Sequence, residues 1–395
     1  MSSVLGTYAR KAISFKEGKG SYLFTENGDK YLDFVQGIAT NILGHCHEHL
    51  VKTIQEQSKK LWHVSNAFVI PDQERLAKRL TENTFADFVC FQNSGTEATE
   101  AGIKIARKYF HKIGKPEKNR IITFKGAFHG RTLAALFAAN NPKHIEGFGP
   151  KVDGFDQVAF PGSQKQSDTD HKSIKKAINK NTAAIMVETI MGEGGIKVIP
   201  DFCLTGLREL CDEHEILLIL DEVQSAYRTG SFFAFERSGV IPDIVPIAKG
   251  IGGGFPLGAC LVTKKVSVGM TAGTHGSTFG GNPLAMAVGN AVLDIIFEKN
   301  FLKNVKKKGE YFYSELNKIK NKYPKIISEI RGVGLMIGLK TIVDNTEFMK
   351  NLMNNKMLTV KAEESVIRLF PPLIVNNSEL DEAINKIEIV CKEMS

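Results

Sequence analysis

"ILLILDEVQSAYRTG" (Ile216 to Gly230) decides how the rest of the chain is read. An unbroken apolar run with no polar alternation is what a strand buried on both faces requires, and such strands belong to parallel sheets. The run ends in two adjacent carboxylates, Asp221 and Glu222, before a turn-like stretch closing on Gly230. In parallel sheets ligands gather outside the carboxyl ends of the strands. Two carboxylates at that position therefore raise the question of which cation they meet.

Working outward, "FVCFQ" (88–92), "RIITF" (120–124), "AAIMVE" (183–188), "DIVPIA" (243–248) and "GACLVT" (258–263) have the same Val-, Ile- and Phe-rich texture. Amphipathic stretches lie between several of them, such as "TEATEAGIKIARKYF", where Ala98, Ala101, Ile105 and Tyr109 recur at helical spacing. Strands alternating with helices predict an α/β domain with a mostly parallel central sheet, spanning residues 46–290. From residue 291 to 395 the chain turns Lys- and Asn-rich, with two strand-like pieces, "IRGVGLMIGLK" and "VIRLFPPLIV". That texture predicts a smaller α+β domain. Residues 1–45 read as an arm carrying a hairpin, because Asn27-Gly28 is a strong turn signal.

Composition narrows the function classes. The net charge is +8, from 51 basic and 43 acidic residues, but the lysines are scattered and only "VKKKGE" is dense. That run reads as a solvated helix face, so nucleic acid is not an expected partner. No apolar run approaches the roughly 20 residues that span a bilayer, so no membrane is expected either. The N-terminus has no apolar core of a secretory signal, and the expected location is the cytoplasm. Six cysteines, with no C-x-x-C pair, fit a reducing compartment better than a disulfide framework or zinc ribbon.

Several constellations carry chemistry. At Ser94-Gly95-Thr96 a strand runs straight into a helix, whose free N–H groups would cradle a phosphate; an ordinary helix cap would have the same sequence. Lys249 lies between the apolar "IVPIA" and a run of glycines. Desolvation there would lower its pKa, and only a neutral amine can attack a carbonyl. Asp221, at a strand end some residues earlier, suits the charge partner of a pyridinium nitrogen, which answers the opening question. Phe128 could stack on a flat heterocycle, and Arg131 offers a planar fork for a carboxylate; core packing and a surface ion pair are their plainer alternatives. Ser277 and Thr278 place hydroxyls in a Gly-rich loop suited to phosphate contact. "GHCHEHL" gathers His45, Cys46, His47 and His49, yet residues two apart share no helix face, so no metal is expected. No Walker motif occurs, and "GVGLMIG" has one residue too many for G-x-G-x-x-G.

Taken together, "NSGTEATEA", "FHGRT", "ETIMGEGG", "LDEVQ", "AKGIGGGFPLGA", "HGSTFGGNP" and "RGVGLMIG" resemble the motifs of class III aminotransferases in order and spacing, over essentially the whole chain. The resemblance implies the type I fold of pyridoxal-phosphate enzymes, that cofactor, and a homodimer with shared active sites. It implies that Lys249 binds the cofactor covalently and then shuttles a proton, while Asp221 pairs with the ring nitrogen. Val223 and Phe128 would sandwich the ring, Gln224 would reach its phenolic oxygen, and the backbone of Gly95 and Thr96 would hold the phosphate with Thr278 of the other subunit. Arg131 would receive a substrate carboxylate with Ser277 nearby, and Glu193 would pair with Arg368 in a substrate-dependent switch. The implied substrates are an amino acid and a 2-oxo acid: transfer of the terminal amino group of N2-acetylornithine to 2-oxoglutarate. Ornithine, succinylornithine and 4-aminobutyrate are alternative donors, and a non-catalytic scaffold is the alternative from another class. Retention of both Lys249 and Asp221 argues against a scaffold. His129 is read here only as a clue to the donor, and Thr189 as a departure where relatives carry proline.

Overall fold

The computed structural model describes residues 3–160 and 167–395. The opening stretch forms the strand Leu217–Asp221, at the centre of a seven-stranded sheet. Across that sheet the strands run Phe88–Gln92, Gly258–Val262, Ile244–Ile247, Leu217–Asp221, Thr182–Glu188, Arg120–Phe124 and Phe155–Val158. Only Gly258–Val262 runs against its neighbours, so the sheet is mostly parallel, as expected. Each of the six strand-like segments named from the sequence is a strand of it.

The apolar run is continuous because both faces of its strand are covered. Leu218 and Leu220 point into one buried cluster with Leu204, Leu207 and Leu210 of the helix Asp201–Glu213. Leu217 and Ile219 point into a second, with Ala101, Ile105 and Phe110 of the helix Gly95–Lys112. Burying each such side chain contributes roughly 1.5–3 kcal/mol.

Two four-stranded sheets flank this core, besides a two-stranded one of Ile190–Met191 and Lys197–Val198. One is antiparallel, in the order Ile327–Val333, Met336–Thr341, Val366–Leu369, Val360–Ala362. The other joins both ends of the chain: the hairpin Tyr22–Phe24 and Lys30–Asp33 turns through Asn27-Gly28, with Gly28 at φ +83°, and Lys30–Asp33 then pairs in parallel with Met357–Leu358. Among the described residues no helix is long and apolar enough to cross a membrane.

Ile219 is fully buried in the middle of the central strand. Ile219→Ala should destabilise the protein by about 2–5 kcal/mol through the lost methyl groups and the cavity left behind. A lowered denaturant midpoint with an unchanged slope is the expected reading.

Candidate active site

The order of the parallel strands brings the expected residues together. Glu188 and Asp221 end neighbouring strands in direct register. Lys249 follows the next strand, Ile244–Ile247, after a single residue. Phe128 lies just beyond Arg120–Phe124, and Ser94-Gly95 just beyond Phe88–Gln92. Residues spread over 150 positions of sequence therefore converge because each follows the carboxyl end of a strand in one sheet.

Asp221 is buried, and both its oxygens are engaged. Oδ1 accepts from the Val223 N–H at 3.0 Å, and Oδ2 lies 2.8 Å from His129 Nδ1. Burial opposes charging of His129, but the hydrogen bond and charge of Asp221, with Glu188 behind, outweigh it and raise the imidazole above its usual pKa. His129 is thus a part of the site that its sequence position did not reveal. The Thr189 N–H also reaches the Asp221 carbonyl, at 3.4 Å, a contact that proline could not make.

Glu188 also went unrecognised in the sequence. It is held by the N–H groups of Phe128 (2.8 Å) and Gly192 (3.1 Å), and burial pushes it up to about 7. Glu222 accepts from Ser225 Oγ at 2.5 Å and from the Phe235 N–H, and burial raises it likewise to about 7. Of the two carboxylates in the opening motif, Asp221 belongs to the group around Lys249, while Glu222 braces the loop that follows.

Lys249 sits half-buried at φ +48°, a left-handed conformation that L-residues avoid at a cost of roughly 1–2 kcal/mol. Strain of this kind persists where surrounding structure enforces it, often at functional sites. Desolvation, then the nearby charge of Arg368, pulls its amine down to about 8, against the opposing pull of Glu188, Asp221 and Glu193. A second strained segment stands beside it: Gln36, Gly37, Ile38 and Ala39 are all left-handed. Asp33 accepts from the N–H groups of Val35 and Gln36, and His45 Nε2 braces Asp33 at 2.7 Å. Ala39 packs with Phe370, and Ile42 lies against Gly250, so this turn wedges between Lys249 and the segment following Arg368.

The remaining expected residues sort as follows. Gly95 opens an 18-residue helix whose cap, Ser94, accepts from the Glu97 N–H, and a side chain on Gly95 would collide with Val223. Any side chain at Gly192 would likewise collide with the Gln224 amide, whose buried oxygen has no partner. Thr96 Oγ1 meets Thr132 Oγ1 at 3.1 Å, joining the helix start to the "FHGRT" loop. In that loop the Arg131 guanidinium lies 5.4 Å from the centre of the Phe128 ring, with Nη2 3.2 Å from His144 Nε2. Arg368 is buried, and its Nη1 is 2.8 Å from Glu193 Oε2, an ion pair whose N–H is not aimed along that line; its Nη2 donates to the Lys361 carbonyl. The Ser277 hydroxyl accepts from Asn93 Nδ2 and the Gly280 N–H. Thr278 is exposed in the same loop. His45 and His49 of the histidine-rich segment contact Asp33 and Asp294 separately, and among the described residues no group of three metal-binding side chains forms.

A lysine with a lowered pKa, a buried carboxylate, an unpartnered amide oxygen and a helix N-terminus are thus ranged along the strand ends, an arrangement whose chemistry would fit a phosphorylated aldehyde cofactor. The chain belongs to the class III aminotransferases: the family described as "Aminotransferase class-III" matches residues 7–391. Relatives of this chain include acetylornithine aminotransferases of Mesorhizobium japonicum (52% identical, covering 100% of this chain and 97% of the relative) and Agrobacterium fabrum (53%, covering 98% and 96%). Among solved structures it is similar to ornithine aminotransferase of Toxoplasma gondii (TM-score 0.93, 30% identical, covering 99% and 93%). It is also similar to N-acetylornithine aminotransferase of Stenotrophomonas maltophilia (0.84, 32%, covering 98% and 97%). Fold type and cofactor are therefore those of the family.

Two outcomes follow. If Lys249 is the amine that captures pyridoxal phosphate, the capture rate of the cofactor-free protein should rise with pH through about 8 and then level off. Stopped-flow absorbance measures this, and a rise continuing toward the 10.5 of an ordinary lysine would exclude the lowered amine. His129→Leu leaves Asp221 with one hydrogen bond, and turnover should fall roughly tenfold to hundredfold, the worth of a hydrogen bond to a charged group.

Proposed function

We propose that this chain transfers the terminal amino group of N2-acetylornithine to 2-oxoglutarate, giving N-acetylglutamate 5-semialdehyde and glutamate, as a cytoplasmic step of arginine biosynthesis. The observation that carries this reading is the pair of guanidiniums in unlike states. Arg131 stands exposed over Phe128, ready for a carboxylate, whereas Arg368 is buried and already paired with Glu193. The names of the half-identical relatives support the choice of donor.

Bound pyridoxal phosphate supplies an electron sink for the pair of electrons left when a C–H bond beside nitrogen breaks. Lys249 would hold it covalently, and the amine, once displaced by substrate, is placed to carry a proton to and from the reacting carbon. Asp221, fixed by His129 and the Val223 N–H, would hold the ring nitrogen in its protonated form. Phe128 and Val223 would clamp the ring, Gln224 would meet its phenolic oxygen, and the N–H groups at Gly95 and Thr96 would bind the phosphate.

Substrate ends are sorted by charge. Acetylornithine brings a terminal amine toward Lys249 and needs one anchor for its distant carboxylate, which Arg131 provides. Glutamate brings an amine with a carboxylate beside it and needs a second anchor near the ring. Arg368 becomes that anchor when Glu193 releases it.

The active form in this proposal is a homodimer. Trp62, Phe68, Val69, Phe88 and Phe279 are exposed, and the loop of Ser277 and Thr278 shares their surface through the Asn66–Ser277 hydrogen bond and the His63–Phe279 ring contact. A second copy covering this surface would bring Thr278 to the phosphate of its partner.

Steady-state assays with acetylornithine, ornithine, succinylornithine and 4-aminobutyrate test the donor directly, and a better rate with 4-aminobutyrate would refute this reading. Arg131→Ala should slow the acetylornithine half-reaction roughly tenfold to hundredfold, as expected for a lost charge-assisted contact. Glu193→Ala should favour glutamate over acetylornithine in single-turnover measurements. Equal slowing of both half-reactions would remove the switch.

A further inference from the structure

Arg228 is fully buried, yet no carboxylate pairs with it among the described residues, and its Nε and Nη2 have no hydrogen-bond partner. Burial pulls the guanidinium down to about 9, so it stays charged at neutral pH. An unpaired buried cation is costly, and an apolar side chain of similar volume would avoid the cost. Its compensation is therefore informative. Nη1 donates to the carbonyls of Pro371 (3.1 Å) and Leu335 (3.4 Å), and the guanidinium carbon lies 5.3 Å from the centre of the Phe370 ring. The same ring carries the guanidinium of Arg368, at 5.7 Å.

We propose that Arg228 is a positioning residue for the substrate-binding Arg368: one buried ring, Phe370, is shared by both guanidiniums and fixes the second through the first. Main-chain connections make the link rigid. The Arg228 N–H donates to the Ser225 carbonyl (3.2 Å), and Ser225 Oγ holds Glu222, next to Asp221. On the other side the Leu335 N–H donates to the Arg228 carbonyl at 2.8 Å, and the Phe370 N–H to the Phe34 carbonyl at 2.8 Å. Arg228 thus joins the loop after the cofactor carboxylate to the strand end bearing the substrate anchor. A cation can do this where a leucine cannot, because it bonds the Pro371 carbonyl and the ring face together.

The inference rests on the reading that Arg368 takes a carboxylate of 2-oxoglutarate, and the experiment separates the two. The holoenzyme is prepared with Arg228→Lys, Phe370→Leu and Arg368→Lys, singly and with the first two combined with the third. Lysine keeps the charge of Arg228 but loses the planar fork; leucine at 370 removes the shared ring without touching the buried charge. Arg228→Lys and Phe370→Leu should each raise KM for 2-oxoglutarate about tenfold, while the acetylornithine half-reaction stays within about twofold, as for a small misplacement of one anchor. Neither should add to the defect of Arg368→Lys, because the three act as one unit. An unchanged KM for 2-oxoglutarate in Arg368→Lys removes the anchor reading, and this inference with it. A raised KM in Arg368→Lys alone, or an equal loss in both half-reactions with a lowered Tm in the Arg228 and Phe370 variants, overturns the positioning role and leaves the anchor standing.

Discussion

A carboxylate at the end of a buried strand must have its direction fixed, and much of the site is arranged to do that for Asp221. The Val223 N–H and the His129 imidazole each engage one of its oxygens, and their hydrogen bonds fix the direction of the carboxylate. The two neighbouring acids are treated differently. Glu188 and Glu222 receive only N–H and hydroxyl donors, and their pKa values sit near neutrality. Lys249, just beyond the adjacent strand, has its amine pulled down to about 8.

The Glu193–Arg368 pair is asymmetric. The arginine is buried and tied to the Lys361 carbonyl, whereas 39% of the Glu193 side chain remains exposed. Glu193 is therefore the partner that can leave, since its carboxylate regains water as it moves out. Arg368 has no such refuge, and a buried guanidinium stripped of its partner is strongly destabilised. Release of Glu193 is thus favoured only when another carboxylate arrives to take its place. Under the proposed function, substrate discrimination would be an exchange of anions on one cation.

The strands, the central sheet and the lysine–carboxylate pair were legible in the sequence because each depends on residues close in the chain. An unbroken apolar run implies two covered faces, and a lysine between a strand and glycines implies desolvation. His129 was legible only as a substrate clue, since the residue it supports lies 92 positions away and no local pattern records that contact. Glu188 was hidden for the same reason: it appears as the last residue of an apolar strand. The Ser277 hydroxyl was placed beside Arg131 by resemblance, but within one chain it serves its own loop and Asn93. The left-handed run at Gln36–Ala39 left one local trace, Gly37, and three of its four residues disfavour that backbone.

That run has a consequence for how the pocket comes into being. Its backbone is opposed by its own side chains, so it cannot nucleate itself in an unfolded chain. Its shape is imposed by Asp33 and His45 on one side and by Phe370, from near the opposite end of the chain, on the other. The wall beside Lys249 therefore depends on segments distant in sequence, with the N-terminal hairpin paired to Met357–Leu358. Loosening either partner segment would open that wall while leaving the central sheet standing, since local stability is not uniform across a fold.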